Sequence, residues 1–208
     1  GLPCVKADIS SVTWIEPAYR GWDDFFERSV IAYLIGDEAK AMVTVYNHLG
    51  QKAYVSVAIQ MDWIAENYTA TESNYPIDPY QSHTFEVIVP ISTTVNTFVV
   101  HSYTIFVSYY DKSFGGTLID FEDETYTDFA VYSQDQKDAQ DYKEEIDTWQ
   151  NAYSTISMAA MWYSTKFKEY WAKAAVEESL GDESYSKGDF AAAKDHYERA
   201  LNYTRQAI

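Results

Sequence analysis

All five prolines fall at or before Pro90, and neither glycine nor proline occurs between Gly116 and Gly181. A backbone free of both for that long can run as helix, whereas the earlier part is broken repeatedly. Apolar side chains follow the same divide. Up to about residue 133 they recur with a period of two, and beyond it with helical spacing. The chain therefore reads as two parts, a strand-rich 6–133 and a helical 136–208.

In the first part Val55, Val57, Ile59, Met61 and Trp63 alternate with Ser56, Ala58, Gln60 and Asp62. Such alternation gives a strand one buried and one wetter face. Residues 41–47 form a similar run and lead into Leu49-Gly50-Gln51-Lys52, a turn. Further strands are expected over 6–15, 28–35, 82–91, 97–110, 116–121 and 125–132. About seven or eight strands without intervening helices argue an antiparallel β-sandwich. The segment VTVYNHLGQKAYVSVAIQM, residues 43–61, resembles a strand pair of the immunoglobulin-like modules common on archaeal and bacterial cell surfaces. In those modules an Asn-x-x-Gly turn often follows a β-branched strand. The Cys and Trp framework of antibody-type domains is missing, so the likeness supports the broad sandwich class. It implies adhesion, spacing or assembly more than catalysis.

In the second part Tyr142, Ile146, Trp149, Tyr153, Ile156, Ala160, Tyr163, Phe167, Tyr170 and Ala174 are spaced alternately by four and three. That is a heptad seam, which must bury itself against the sandwich, another helix or another chain. One helix is expected from 136 to 186, or two with a break near Ser164-Thr165. Gly188-Asp189 then makes a turn into a last helix, with Asp189 as N-cap. Leu180, Gly181, Tyr185, Gly188-Asp189-Phe190, Ala193, Tyr197 and Ala200-Leu201 resemble one tetratricopeptide repeat. The resemblance implies close helix approach at Gly181, Ala193 and Ala200. It departs from that family at Glu177, where an aromatic is usual. A single repeat also forms no concave groove, so the hairpin reads as a packing device. The expected fold class is α+β: an N-terminal antiparallel immunoglobulin-like β-sandwich, then a long helix and a C-terminal helical hairpin.

A net charge of −17 argues against nucleic acid and anionic membrane surfaces and in favour of cations and basic partners. No apolar run is long enough to span a bilayer. An anchor or leader encoded outside these residues is compatible with the chain starting without Met. Leu2-Pro3-Cys4 is a poor match to a lipoprotein cleavage box, because Pro3 stands where a small residue belongs. Cys4 is the one cysteine and can form no internal disulfide.

Candidate chemistry is sparse. None of His48, His83, His101 and His196 has a partner at metal-ligand spacing, and His101 reads as a core residue. Asp120, Glu122, Asp123 and Glu124 are expected in a loop, as a solvated acidic cluster or a weak Ca²⁺ site; no other cofactor is expected. Asn67-Tyr68-Thr69 is a glycosylation sequon, with Asn67 the acceptor. Tyr68, Tyr75 and Tyr80 lie in a polar stretch suited to stacking on a sugar or docking a partner. No phosphate loop, dinucleotide fingerprint or nucleophile elbow is present. The expectation is a non-catalytic, extracytoplasmic or surface-associated interaction module. In it the seam residues Tyr142, Ile146, Trp149, Tyr153, Ile156, Tyr163 and Phe167 serve self-association or a protein partner. The alternative is a carbohydrate-binding sandwich.

Overall fold

The computed structural model describes residues 8–208, and the reading of Cys4 lies outside them. The fold is α+β, with strands first and helices last. It divides into two compact units: the described residues up to Gly21 with Ser29–Val131, and Trp22–Arg28 with Tyr132–Ile208. The segment 22–28, read from sequence as part of the sandwich, thus belongs to the helical unit.

The first unit holds two sheets around a shared core. The smaller sheet has the order β1 (Ile9–Ile15), β4 (Glu38–Tyr46), β8 (Ser82–Pro90). The larger has the order β2 (Tyr19–Asp23), β3 (Arg28–Leu34), β10 (Leu118–Tyr132), β9 (Val100–Tyr110), β5 (Ala53–Met61), β6 (Asn67–Thr69), with β7 (Tyr75–Ile77) also on β5. Alternation in sequence becomes alternation in burial along β5 and β9. Trp14 fills the middle of the core, edge-on to Tyr33, Tyr103 and Phe129, and its indole N–H donates to the Tyr103 hydroxyl at 3.1 Å. His101 is buried in this unit with both ring nitrogens engaged, Nδ1 by Asp62 and Nε2 by the Asn96 carbonyl, each at 2.7 Å.

Two expectations fail here. Residues 116–121 and 125–132 are not two short strands with an acidic loop between them; Leu118–Tyr132 is one strand paired to β9. Asp and Glu are poor strand formers, but cross-strand pairing overrides that preference. The polar stretch after Trp63 is likewise not all loop, because β6 and β7 both add to β5.

The helical unit contains α1 (Gln134–Tyr163), α2 (Thr165–Ser186) and α3 (Phe190–Ala207). Ser133 caps α1 by accepting from the Gln136 N–H. Ser164 is extended at φ −129°, ψ 110° and caps α2. The seam is therefore broken at Ser164 and is not one continuous stripe. Its first part is internal: Ile146 is buried, and Tyr142 and Trp149 pack on a core of Ala139, Tyr185, Phe190, Ala193, Tyr197 and Leu201. Gly181 permits the α2–α3 approach, since a Cβ there would stand 2.5 Å from the Tyr197 ring. Glu177, where the tetratricopeptide likeness expects an aromatic, instead accepts from His196 Nδ1 at 2.7 Å and Arg199 Nε at 3.0 Å.

Candidate functional site

In the β-rich unit, three segments remote in sequence meet at one end of β9 and β10. The Asn-x-x-Gly turn supplies His48. Asn47 fixes that turn: its buried amide donates to the Gln51 and Ile77 carbonyls at 2.9 Å and accepts the Leu49 N–H at 3.0 Å. Asp8 is held beside β4 because its carbonyl accepts the Tyr46 N–H at 2.8 Å. β10 supplies Glu122 and Asp120, in register with Val107 and Tyr109 of β9.

The pleat of β10 divides the acidic run. Asp120, Glu122 and Glu124 are half-buried, whereas Phe121 and Asp123 are exposed. The four carboxylates named from sequence thus do not form one cluster. Instead, Asp8 and His48 join Glu122, with one ligand atom of each lying within 4.8 Å of the others. Asp8 Oδ2 contacts His48 Nδ1 and accepts the Tyr109 hydroxyl at 2.7 Å. The Asp8 N–H donates to Glu122 Oε2 at 2.5 Å, and His48 Nε2 lies 3.2 Å from Asp120 Oδ2.

The electrostatics follow from crowding. Burial disfavours the His48 imidazolium, but the Asp8 hydrogen bond and the charges of Asp8, Asp120 and Glu122 outweigh it, so its pKa is raised. Burial likewise raises Glu122, with the Asp8 N–H opposing the rise and the Asp8 carboxylate adding to it. Burial and the bond to Asp8 push the Tyr109 phenol far up, which keeps it a donor. Chemically, the arrangement is a mixed imidazole and carboxylate donor set. Sequence reading missed Asp8 and His48, which lie 40 residues apart, with Glu122 another 74 further on (122 − 48).

In the helical unit the seam ends in the open. Ile156 is 55% exposed, Met158 70%, Trp162 84% and Tyr163 92%, whereas Phe167 beyond the break is buried. Tyr153 is half-buried. The three loop tyrosines separate: Tyr68 and Tyr75 pack on the core of the β-rich unit, Tyr75 stacks on His83 at 3.6 Å, and Tyr80 stands 60% exposed. Asn67 is exposed on β6. Among the described helices none is long and apolar enough to cross a membrane.

No protein-family model matches the chain, and no curated protein matches it in sequence. Among solved structures it is similar to Spo0M, a sporulation control protein from Bacillus subtilis, at 14% identity and a TM-score of 0.37. That alignment covers 65% of this chain and 55% of Spo0M, about half of that protein. It is also similar to the archaeal flagellum of Methanospirillum hungatei, at 15% identity and a TM-score of 0.28 over 60% of this chain and 68% of that one. A third match, Astrotactin-2, a vertebrate-specific perforin-like membrane protein, has 12% identity and a TM-score of 0.29 over 84% of this chain and 34% of that one.

Proposed function

We propose that the chain is a non-catalytic assembly module that self-associates through the second half of α1. The observation that carries this reading is a long exposed helix surface without charge. No Asp, Glu, Lys or Arg occurs between Asp147 and Lys166. At helical spacing Ile156 and Tyr163 share one face and Met158 and Trp162 a nearly opposite one, and all are exposed. Large apolar side chains on two faces of one helix are normally buried, and exposed patches of this kind mark interaction sites. A second copy is the occupant that fits the charge. Each copy carries −17, so two copies meet at least cost where neither presents a carboxylate.

The sandwich would then be the displayed part. The β1-β4-β8 sheet and the β10-β9-β5-β6 part of the larger sheet, which β2 and β3 extend, support an immunoglobulin-like reading. The close α2–α3 contact at Gly181 supports tetratricopeptide-like packing in the hairpin. An extracytoplasmic setting belongs to the same reading, supported by the exposed Asn67 sequon.

Light scattering on size-exclusion fractions of the whole chain tests the reading, alongside a triple variant Ile156→Ser, Met158→Ser, Trp162→Ser. The expected result is a dimer or larger species that becomes a monomer in the variant, with unchanged far-UV circular dichroism. A wild-type monomer at every soluble concentration would refute self-association. So would a monomer that binds zwitterionic vesicles through the same residues, because the occupant would then be lipid.

A further inference from the structure

We infer that Asp8, His48 and Glu122 form a binding site for one first-row divalent transition-metal ion of the zinc class. Three features beyond proximity support it. First, the donor set is mixed. An imidazole nitrogen beside two carboxylate oxygens suits Zn²⁺ and its neighbours, whereas Ca²⁺ and Mg²⁺ take oxygen alone. The ligand atoms lie within 4.8 Å of one another, so side-chain adjustments of roughly 1 Å bring all three to bonding distance of one ion.

Second, the surroundings supply outer-shell support. Metal-bound histidines ordinarily donate their other ring N–H to a carboxylate, which fixes tautomer and ring orientation. Here Nδ1 faces Asp8 and Nε2 faces Asp120 at 3.2 Å. The Asp8 carboxylate is oriented in turn by the Tyr109 hydroxyl at 2.7 Å, and Tyr109 is fully buried. Glu122 and the orienting Tyr109 therefore come from paired strands, His48 from a turn locked by Asn47, and Asp8 from the residue just before β1.

Third, negative charge is concentrated there. Asp8, Glu122 and Asp120 bring three negative charges around one imidazole, and among the described residues no lysine or arginine pairs with any of them. A divalent ion bound among them offsets two of the three.

The test is calorimetric titration of the full chain with Zn²⁺ in 0.15 M salt, repeated with Ca²⁺ and with His48→Gln and Glu122→Gln variants, each checked for folding by its metal-free thermal melt. The expected result is one Zn²⁺ per chain, a raised melting temperature, and affinity weakened about 100-fold or more in either variant, beyond the loss typical of an outer-shell partner. Thirty-two acidic residues make diffuse surface binding the natural rival. Zn²⁺ uptake that both variants leave unchanged would establish that rival and overturn the site. Absence of stoichiometric uptake would overturn it too. Ca²⁺ binding as tight as Zn²⁺, and lost in the same variants, would overturn the transition-metal assignment.

Discussion

The side chain on which the helical unit depends most is Asp23, which is fully buried. Its Oδ1 accepts the Phe25 and Phe26 N–H groups at 2.8 and 3.2 Å. Its Oδ2 accepts the Tyr185 hydroxyl at 2.8 Å, the Tyr132 hydroxyl, and Gln140 Nε2 at 3.4 Å. Removing a buried acceptor strands every donor around it, which costs more than the bonds themselves contribute. Asp23→Ala is expected to destabilise the helical unit by about 3 kcal/mol or more, whereas Tyr185→Phe, which removes one donor to that carboxylate and the acceptor of Gln140 Nε2, loses about 1.5–3 kcal/mol. Thermal unfolding followed at 222 nm would check both, and equal small losses would show that the network is slack. Asp23 was invisible in the sequence because its partners lie 109 and 162 residues away. His48 and Asp8 escaped for the same reason. His101 was legible as a core residue, because it alternates with the apolar side chains of its own strand.

Elements were legible where periodicity was local. The strand alternation of β5 and β9 and the weak point at Ser164-Thr165 could all be read directly. β10 could not, because Asp-Phe-Glu-Asp-Glu looks like a solvated loop until its partner β9 is known. The hairpin was legible from its small residues, and it yields two predictions. Gly181→Ala places a Cβ 2.5 Å from a buried tyrosine ring, so the helices must part or the ring must move. A loss of about 1–3 kcal/mol is expected, more than helix propensity returns. A melt equal to wild type would mean that the α2–α3 contact is looser than described.

The second concerns acid. Glu177 is lowered: burial opposes its ionisation, but the hydrogen bonds of His196 and Arg199 outweigh that. Glu145 is lowered chiefly by its bond to Arg205, at 2.5 Å. For a carboxylate lowered in the folded state, the stabilisation is full above the unfolded pKa of about 4.3 and is lost as pH falls through the folded value. These pairs tie α3 to α2 and to α1 near the surface, so each is worth about 1 kcal/mol or less. The helical unit should therefore melt at nearly constant temperature from pH 7 to 5 and progressively lower below about pH 4. Glu177→Gln should flatten that fall.

At the scale of the whole molecule, charge and the uncharged helix segment act in opposite directions, and salt separates them. Two copies approaching through the 148–165 surface bring together no opposite charges, since none is present there. What each feels from a distance is the other's −17. At an ionic strength of about 0.01 M that repulsion extends roughly 30 Å, and at 0.1 M about 10 Å. Contacts between apolar side chains weaken little over the same range. Adding sodium chloride should therefore tighten self-association, with the dissociation constant from sedimentation or light scattering falling as salt rises from 0.02 to 0.2 M. An interface built from ion pairs would respond in the reverse sense, because screening removes the attraction that holds it. A dissociation constant that rises with salt would thus move the interface away from Ile156, Met158 and Trp162, toward a surface where lysines and arginines meet carboxylates. A falling one, abolished by the triple serine variant, ties assembly to the one stretch of helix on which this acidic chain places no charge.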